Sequence, residues 1–302
     1  MNLYFKINIS RILLVIICSV LLTACFKDDV LSTPGEEQKF LPGKGVVTYA
    51  EYSPLKDKPI KIHYNIPTDG NMVDMPVLFV FPGQERNADD YLKVWSPESD
   101  KRKFMVFVFE FPESYYSSSE YNEGGLFIGN VLQTQLYWTF SLIEPVFDKI
   151  VKETGTKADG YDMWGHSAGA QFCHRFFTFM RNTKVKRLIS ANAGWYTVPD
   201  VTIDFPYGLK KTDVGRDEMK DIFGRKLIIS LGTADTSRDG LNTTAGAEAQ
   251  GSNRFERGNF YFSRAKSISS ELGYDFNWEK IEVPGVAHDY EKMTIAAAKY
   301  LY

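Results

Sequence analysis

Apolar and polar positions alternate most clearly at Ile60, Ile62, Tyr64 and Ile66, with Lys61, His63 and Asn65 between them. A period of two over this stretch predicts a half-exposed β-strand in an antiparallel edge region. Downstream the pattern changes to short apolar runs at residues 77–81 and 104–111, a less regular one at 161–164, then 188–189 and 227–231. Runs without a polar face suit strands buried on both sides, as in a parallel sheet covered by helices. Helix-like stretches fall between or after them, at residues 88–95, 130–153, 168–181, 255–272 and 289–301. This alternation predicts a doubly wound α/β domain over residues 45–302, with a mostly parallel central sheet flanked by helices and antiparallel strands at its N-terminal side.

The chain ahead of that pattern has a different character. Lys6 and Arg11 precede an apolar run over residues 12–22, which leads into Leu22-Thr23-Ala24-Cys25. The run is too short to span a bilayer and gives way at once to polar sequence. Residues 1–24 therefore read as a signal peptide, and the small residues ahead of Cys25 resemble the lipobox of bacterial lipoproteins, in which the cysteine is acylated and becomes the first residue. Phe26-Lys27-Asp28-Asp29 resembles the signal that sends some lipoproteins to the outer surface of Gram-negative cells. Residues 25–44, polar and aperiodic, read as a lipidated tether, which places the expected domain on the outer membrane, periplasmic or at the cell surface.

Composition changes this picture in two respects. With 302 residues, 44% hydrophobic and 24% charged, the chain is long and apolar enough for a core that needs no disulfide or metal. Once Cys18 leaves with the signal and Cys25 carries lipid, Cys173 is the cysteine that remains, so no intrachain disulfide is expected. The mature chain has 33 basic and 38 acidic residues, a formal charge of −5, and no basic run, which argues against a nucleic-acid partner.

The chemistry centres on Gly165-His166-Ser167-Ala168-Gly169, preceded by a strand-like and followed by a helix-like segment. Strand, sharp turn and helix in that order present a serine hydroxyl at the top of a sheet, and the flanking residues must be small because the turn is crowded. A serine needs an imidazole to take its proton and an acid to orient that imidazole. Asp235 follows the apolar run 227–231, at the C-terminal end of a buried strand where ligand-facing groups collect. His288 follows the next strand-like segment, Trp278-Glu279-Lys280-Ile281-Glu282-Val283. Ser167, Asp235 and His288 are thus the candidate catalytic residues.

Competing residues fit less well. His63 is expected on a solvated strand face, His166 at the variable site of the turn, and His174 about two helical turns beyond Ser167 in a structural role. Asp239 and Asp204 are weaker candidates for the acid, and Cys173 reads as a small core residue. The expected oxyanion donors are the backbone amides of Ala168 and of Gln84, the latter in Phe81-Pro82-Gly83-Gln84. Two long loops, 112–125 and 195–224, carry aromatic residues, and Tyr115, Trp195 and Tyr196 are the candidate substrate contacts.

Taken together, residues 78–91, the turn at Ser167, Asp235 and residues 284–289 resemble the α/β-hydrolase superfamily, in particular the secreted branch of feruloyl and acetylxylan esterases and polyhydroxybutyrate depolymerases. One departure is that the oxyanion loop of that branch usually begins His-Gly, where this chain has Pro82-Gly83. The resemblance implies a serine esterase that forms an acyl-serine intermediate without metal or organic cofactor. The expected partner is a small-molecule or polysaccharide ester, such as an acylated carbohydrate or an aromatic ester. A serine peptidase of the same fold and a non-catalytic, glycan- or partner-binding surface lipoprotein are the alternatives.

Overall fold

The computed structural model describes residues 39–302; the expected signal peptide, Cys25 and most of the expected tether lie outside the described residues. Strands β1 (Gly43–Tyr49), β2 (Ile60–Ile66) and β3 (Val77–Phe81) come first, followed by helix α1 (Ala88–Arg102) and β4 (Met105–Glu110). A short helix α2 (Ser118–Asn122) and a hairpin of β5 (Phe127–Ile128) and β6 (Val131–Leu132) precede α3 (Ile143–Thr154). Then come β7 (Tyr161–His166), α4 (Ala168–Phe179), β8 (Val185–Ala191), α5 (Arg216–Gly224) and β9 (Leu227–Gly232). Helices α6 (Ala245–Glu248) and α7 (Arg254–Leu272), strand β10 (Glu279–Val283) and α8 (Tyr290–Leu301) complete the chain.

Eight strands form one sheet in the order β1-β2-β4-β3-β7-β8-β9-β10. Strand β2 pairs antiparallel with both β1 and β4, and the remaining pairs are parallel. The alternation within each buried run sorts its residues between the two faces of the sheet. On β3, Leu78 and Val80 pack with Trp95 of α1 and Met293 and Ala297 of α8. Val77, Phe79 and Phe81 point the other way, into a larger core shared with α3, α4 and α7. That second face is aromatic: Phe81 stacks on Phe109 at 4.9 Å and on Phe172 of α4 at 4.5 Å. Each such ring is worth roughly 1.5–3 kcal/mol of burial, so the helix that carries the serine is among the most firmly seated elements.

Several boundaries differ from those read in the sequence. The folded part begins before residue 45, because β1 starts at Gly43 and Phe40 is buried edge-on against Tyr64 and Phe107. Strand β2 is internal, since β1 covers its outer edge, and His63 is not solvated: its Nε2 lies 2.7 Å from Oε2 of Glu110. The stretch 130–153 is not one helix. Gly129 adopts φ +58° in a tight hairpin turn with Asn130, and the α-helix begins only at Ile143, which puts Pro145 in the first turn where a missing N–H costs little. Helix α1 instead runs past Trp95 and through Pro97 to a left-handed cap at Lys103.

Candidate active site

Strand β7 ends at His166 and α4 starts at Ala168, so the whole reversal falls on Ser167, with φ +56° and ψ −115°. A non-glycine residue in such a conformation costs on the order of 1–3 kcal/mol and needs surroundings that enforce it. The flanking glycines show what enforces it. A Cβ on Gly169 would lie 1.9 Å from the carbonyl oxygen of Phe81, at the end of β3, and one on Gly165 would lie 2.2 Å from the carbonyl oxygen of Gly169. The turn is therefore pressed between the neighbouring strand and its own helix. Because the obstruction at Gly169 is backbone, Gly169→Ala should lose stability at or above the upper end of the roughly 1–3 kcal/mol typical of overpacking. A denaturant melt checks this; a wild-type midpoint would show that the turn can open.

Asp235 lies in the turn after β9, buried to 1% exposure, with Oδ2 2.7 Å from Nδ1 of His288. The carboxylate accepts, so the contact assigns the proton to Nδ1 and leaves Nε2 of a neutral imidazole as a base. The other oxygen, Oδ1, has no hydrogen-bond partner among the described residues; the guanidinium of Arg254 at 3.8 Å counters its charge. The histidine loop is held against β9 from several directions. The amide of Ala234 donates to Val286 at 2.9 Å, and the amide of Gly285 donates to Oγ1 of Thr233 at 2.8 Å. Asn192, at φ +50° beyond β8, accepts from the amide of Gly232 at 2.8 Å and donates to the carbonyl of Ala287 at 3.3 Å.

The imidazole of His288 packs against that of His166, with ring centroids 4.5 Å apart. The Asp235–His288 pair therefore sits beside the residue that immediately precedes Ser167. Burial, reinforced by the nearby His288 and Arg254, holds His166 well below the ordinary imidazole range, so its ring is neutral. Its side chain points toward Tyr91, whose Oη lies 3.2 Å from its Nδ1.

The oxyanion candidates lie on either side of the serine. Ala168 is the first residue of α4, so its amide has no intrahelical acceptor. Across from it, a Cβ on Gly83 would lie 3.6 Å from the Cβ of Ser167, which puts the loop after β3 directly over the turn. The side chain of Gln84 is tied to α2, with Nε2 donating to Oγ of Ser118 at 3.0 Å.

The competing residues are occupied elsewhere. His174 is buried, its Nδ1 2.9 Å from the carbonyl of Ala170 and its Nε2 accepting from the amide of Thr197 at 3.1 Å. Asp204 pairs with Lys210 and Lys211, and Asp239 is exposed. Cys173 is fully buried beneath the turn, and burial pushes its thiol well up from the usual range.

The substrate contacts need correction. Tyr196 is fully buried, stacked on Tyr261 at 4.4 Å, and its backbone is pinned at both ends by the side chain of Gln250, so it is a core residue. Trp195 is 6% exposed, and the guanidinium of Arg175 covers one face at 4.0 Å. Residues 191–200 are buried throughout, so the first part of the 195–224 loop passes through the interior. Of the three aromatics, Tyr115 is the exposed one. Sequence reasoning also missed Asn192, Arg254 and Tyr91. Asn192 had one local signal: asparagine tolerates a left-handed conformation at a strand end.

Comparison of the sequence with family models gives no match, nor does comparison with curated proteins. Solved structures do match. A poly(aspartic acid) hydrolase from Sphingomonas sp. KT-1 is 35% identical, with a TM-score of 0.83 over 86% of this chain and 98% of its own. The chain belongs to the α/β-hydrolase family. A poly(3-hydroxybutyrate) depolymerase from Bordetella parapertussis is 27% identical, with a TM-score of 0.83 over 87% of this α/β-hydrolase and 90% of that chain. A siderophore hydrolase from Aspergillus nidulans, at 13% identity and a TM-score of 0.54 over 88% and 96% of the two chains, shares the fold. The mostly parallel sheet with antiparallel N-terminal strands is that of the α/β-hydrolases, and the neighbours are hydrolases and esterases.

Proposed function

We propose that the protein is a serine esterase in which Ser167 is the nucleophile, His288 the general base and acid, and Asp235 the group that orients and stabilises the imidazole. The observation that carries this reading is the Asp235–His288 pair at 2.7 Å, packed against the residue next to Ser167. In the first half-reaction Oγ of Ser167 attacks the ester carbonyl carbon and its proton passes to Nε2 of His288. The amides of Ala168 and Gln84 stabilise the oxyanion, a donor of this kind being worth about 2.7–4 kcal/mol. Collapse expels the alcohol, which takes the proton from His288, and leaves an acyl-serine. Water, deprotonated by the same imidazole, then releases the acid.

The 27%-identical depolymerase named for a polyester supports an ester as substrate, and acylated carbohydrate or aromatic esters remain the class suggested by the sequence. The 35%-identical hydrolase named for poly(aspartic acid) favours a second reading, hydrolysis of an amide-linked polymer by the same residues. Cys25 adds a lipid tether to either reading.

The full chain in mild detergent, treated with a fluorophosphonate probe, should label at Ser167, and mass spectrometry of the same preparation should find acyl groups on Cys25. The labelled serine should belong to an enzyme that turns over short acyl and feruloyl esters. Faster cleavage of peptide amides or poly(aspartic acid) would favour the second reading. Neither labelling nor turnover would leave a binding protein on a hydrolase scaffold.

A further inference from the structure

The loop that carries the Gln84 amide lacks the histidine expected at its start, yet it is held firmly by side chains from outside it. Oη of Tyr121, from α2, donates to the carbonyl of Pro82 at 2.7 Å. Oη of Tyr91, from the first turn of α1, accepts from the amide of Gly83 at 3.0 Å. That carbonyl and that amide belong to the same peptide group, whose atoms are coplanar. Two buried tyrosines thus grip opposite edges of one peptide plane. The next peptide, between Gly83 and Gln84, has its carbonyl engaged by the amide of Arg86 at 3.0 Å, while the amide of Gln84 donates to no protein acceptor among the described residues. Only the two backbone torsions of Gly83 separate the gripped plane from the free N–H.

The grip extends to the rest of the site. With the Gly83 amide on its oxygen, the hydroxyl of Tyr91 has Nδ1 of His166 at 3.2 Å as its acceptor, and burial keeps that imidazole neutral and able to accept. The ring of Tyr91 stacks on Tyr290 at 4.4 Å, two residues after His288. Arg86 seats the far end of the loop, its Nη1 donating to the carbonyl of Phe111 at 2.9 Å and its guanidinium lying 4.7 Å above the ring of Tyr121.

We propose that Tyr91 and Tyr121 are positioning residues that clamp the Pro82–Gly83 peptide and so aim the Gln84 amide at the oxyanion formed on Ser167. The clamp rests on the serine ester hydrolysis proposed above. Its energetic logic is that the donor must be aligned before charge develops, since an oxyanion donor acts through preorganisation.

Tyr91→Phe removes one hydroxyl and keeps the ring on Tyr290; Tyr121→Phe removes the other. For the full chain acting on p-nitrophenyl acetate, each variant should lower kcat by on the order of tenfold to a hundredfold, the cost of a misaimed group, with KM unchanged. Affinity for an alkyl boronic acid, whose tetrahedral adduct places an oxygen at the oxyanion position, should weaken by a similar factor. A merely structural role would lower the thermal midpoint but leave kcat and boronate affinity per folded molecule unchanged. Should Tyr91→Phe fail to fold, Tyr121→Phe decides the matter by the same two readouts. Wild-type kcat and boronate affinity in the folded variants would overturn the clamp and leave the esterase intact, whereas an inactive wild-type chain would remove both.

Discussion

Ser167→Ala is expected to lower ester turnover by on the order of 10⁴- to 10⁶-fold, the range seen when one member is removed from a unit of this kind. The fold should survive the change. The amide of Ser167 donates to Ala191 at 3.0 Å and its carbonyl accepts from Gln171 at 3.1 Å, and alanine keeps both bonds. The two flanking glycines, not the hydroxyl, make room for the turn. The measurement is a paired one: kcat on a short acyl ester, and the midpoint of thermal unfolding. A large loss of kcat with a near wild-type midpoint supports Ser167 as nucleophile. Retention of more than a small fraction of kcat would move the nucleophile elsewhere, and Cys173, fully buried, is not an evident substitute.

The second large effect is expected for Asp235→Asn, with a loss in kcat of roughly 10⁴-fold. The reason is the proton on the imidazole. A carboxylate 2.7 Å from Nδ1 can only accept, which fixes the Nδ1–H tautomer and leaves Nε2 free to take the serine proton. An amide can donate from Nδ2, which favours the opposite tautomer, with Nε2 already protonated. The substitution also removes the anion that would stabilise the imidazolium, and it leaves the buried guanidinium of Arg254 without the charge at 3.8 Å that offsets its burial. A fall in stability should therefore accompany the fall in kcat, and KM should change least. If Asp235→Asn kept a tenth or more of kcat, another carboxylate would have to be orienting His288, and Asp239 would be the next to test.

The proposed acid and base, Asp235 and His288, were singled out before any coordinates, because a mechanism that needs such groups at strand ends restricts where in the chain they can fall, and the structure brings the two side chains to 2.7 Å. The sharp turn at Ser167 was equally legible, since strand, turn and helix are all local. The failures are of another kind. Tyr196 is an aromatic in a long loop, as a substrate contact would be, but the loop dives under α7, and Tyr261 meets it there. The hairpin at residues 127–132 was hidden because strands of two residues leave no periodicity to read. Nor does proximity in sequence hint at the Pro82–Gly83 clamp, whose tyrosines come from two helices on either side of β4.

The sequence by itself determined the alternation of strand and helix, the crowded turn at Ser167 and the strand ends after which Asp235 and His288 fall, since these depend on local sterics, hydrophobic period and chain direction. Tertiary structure decided which aromatics face solvent, how the oxyanion loop is gripped, and what surrounds the acid. Those outcomes depend on which surfaces meet when helices from distant parts of the chain close over the sheet, and no local pattern encodes that meeting.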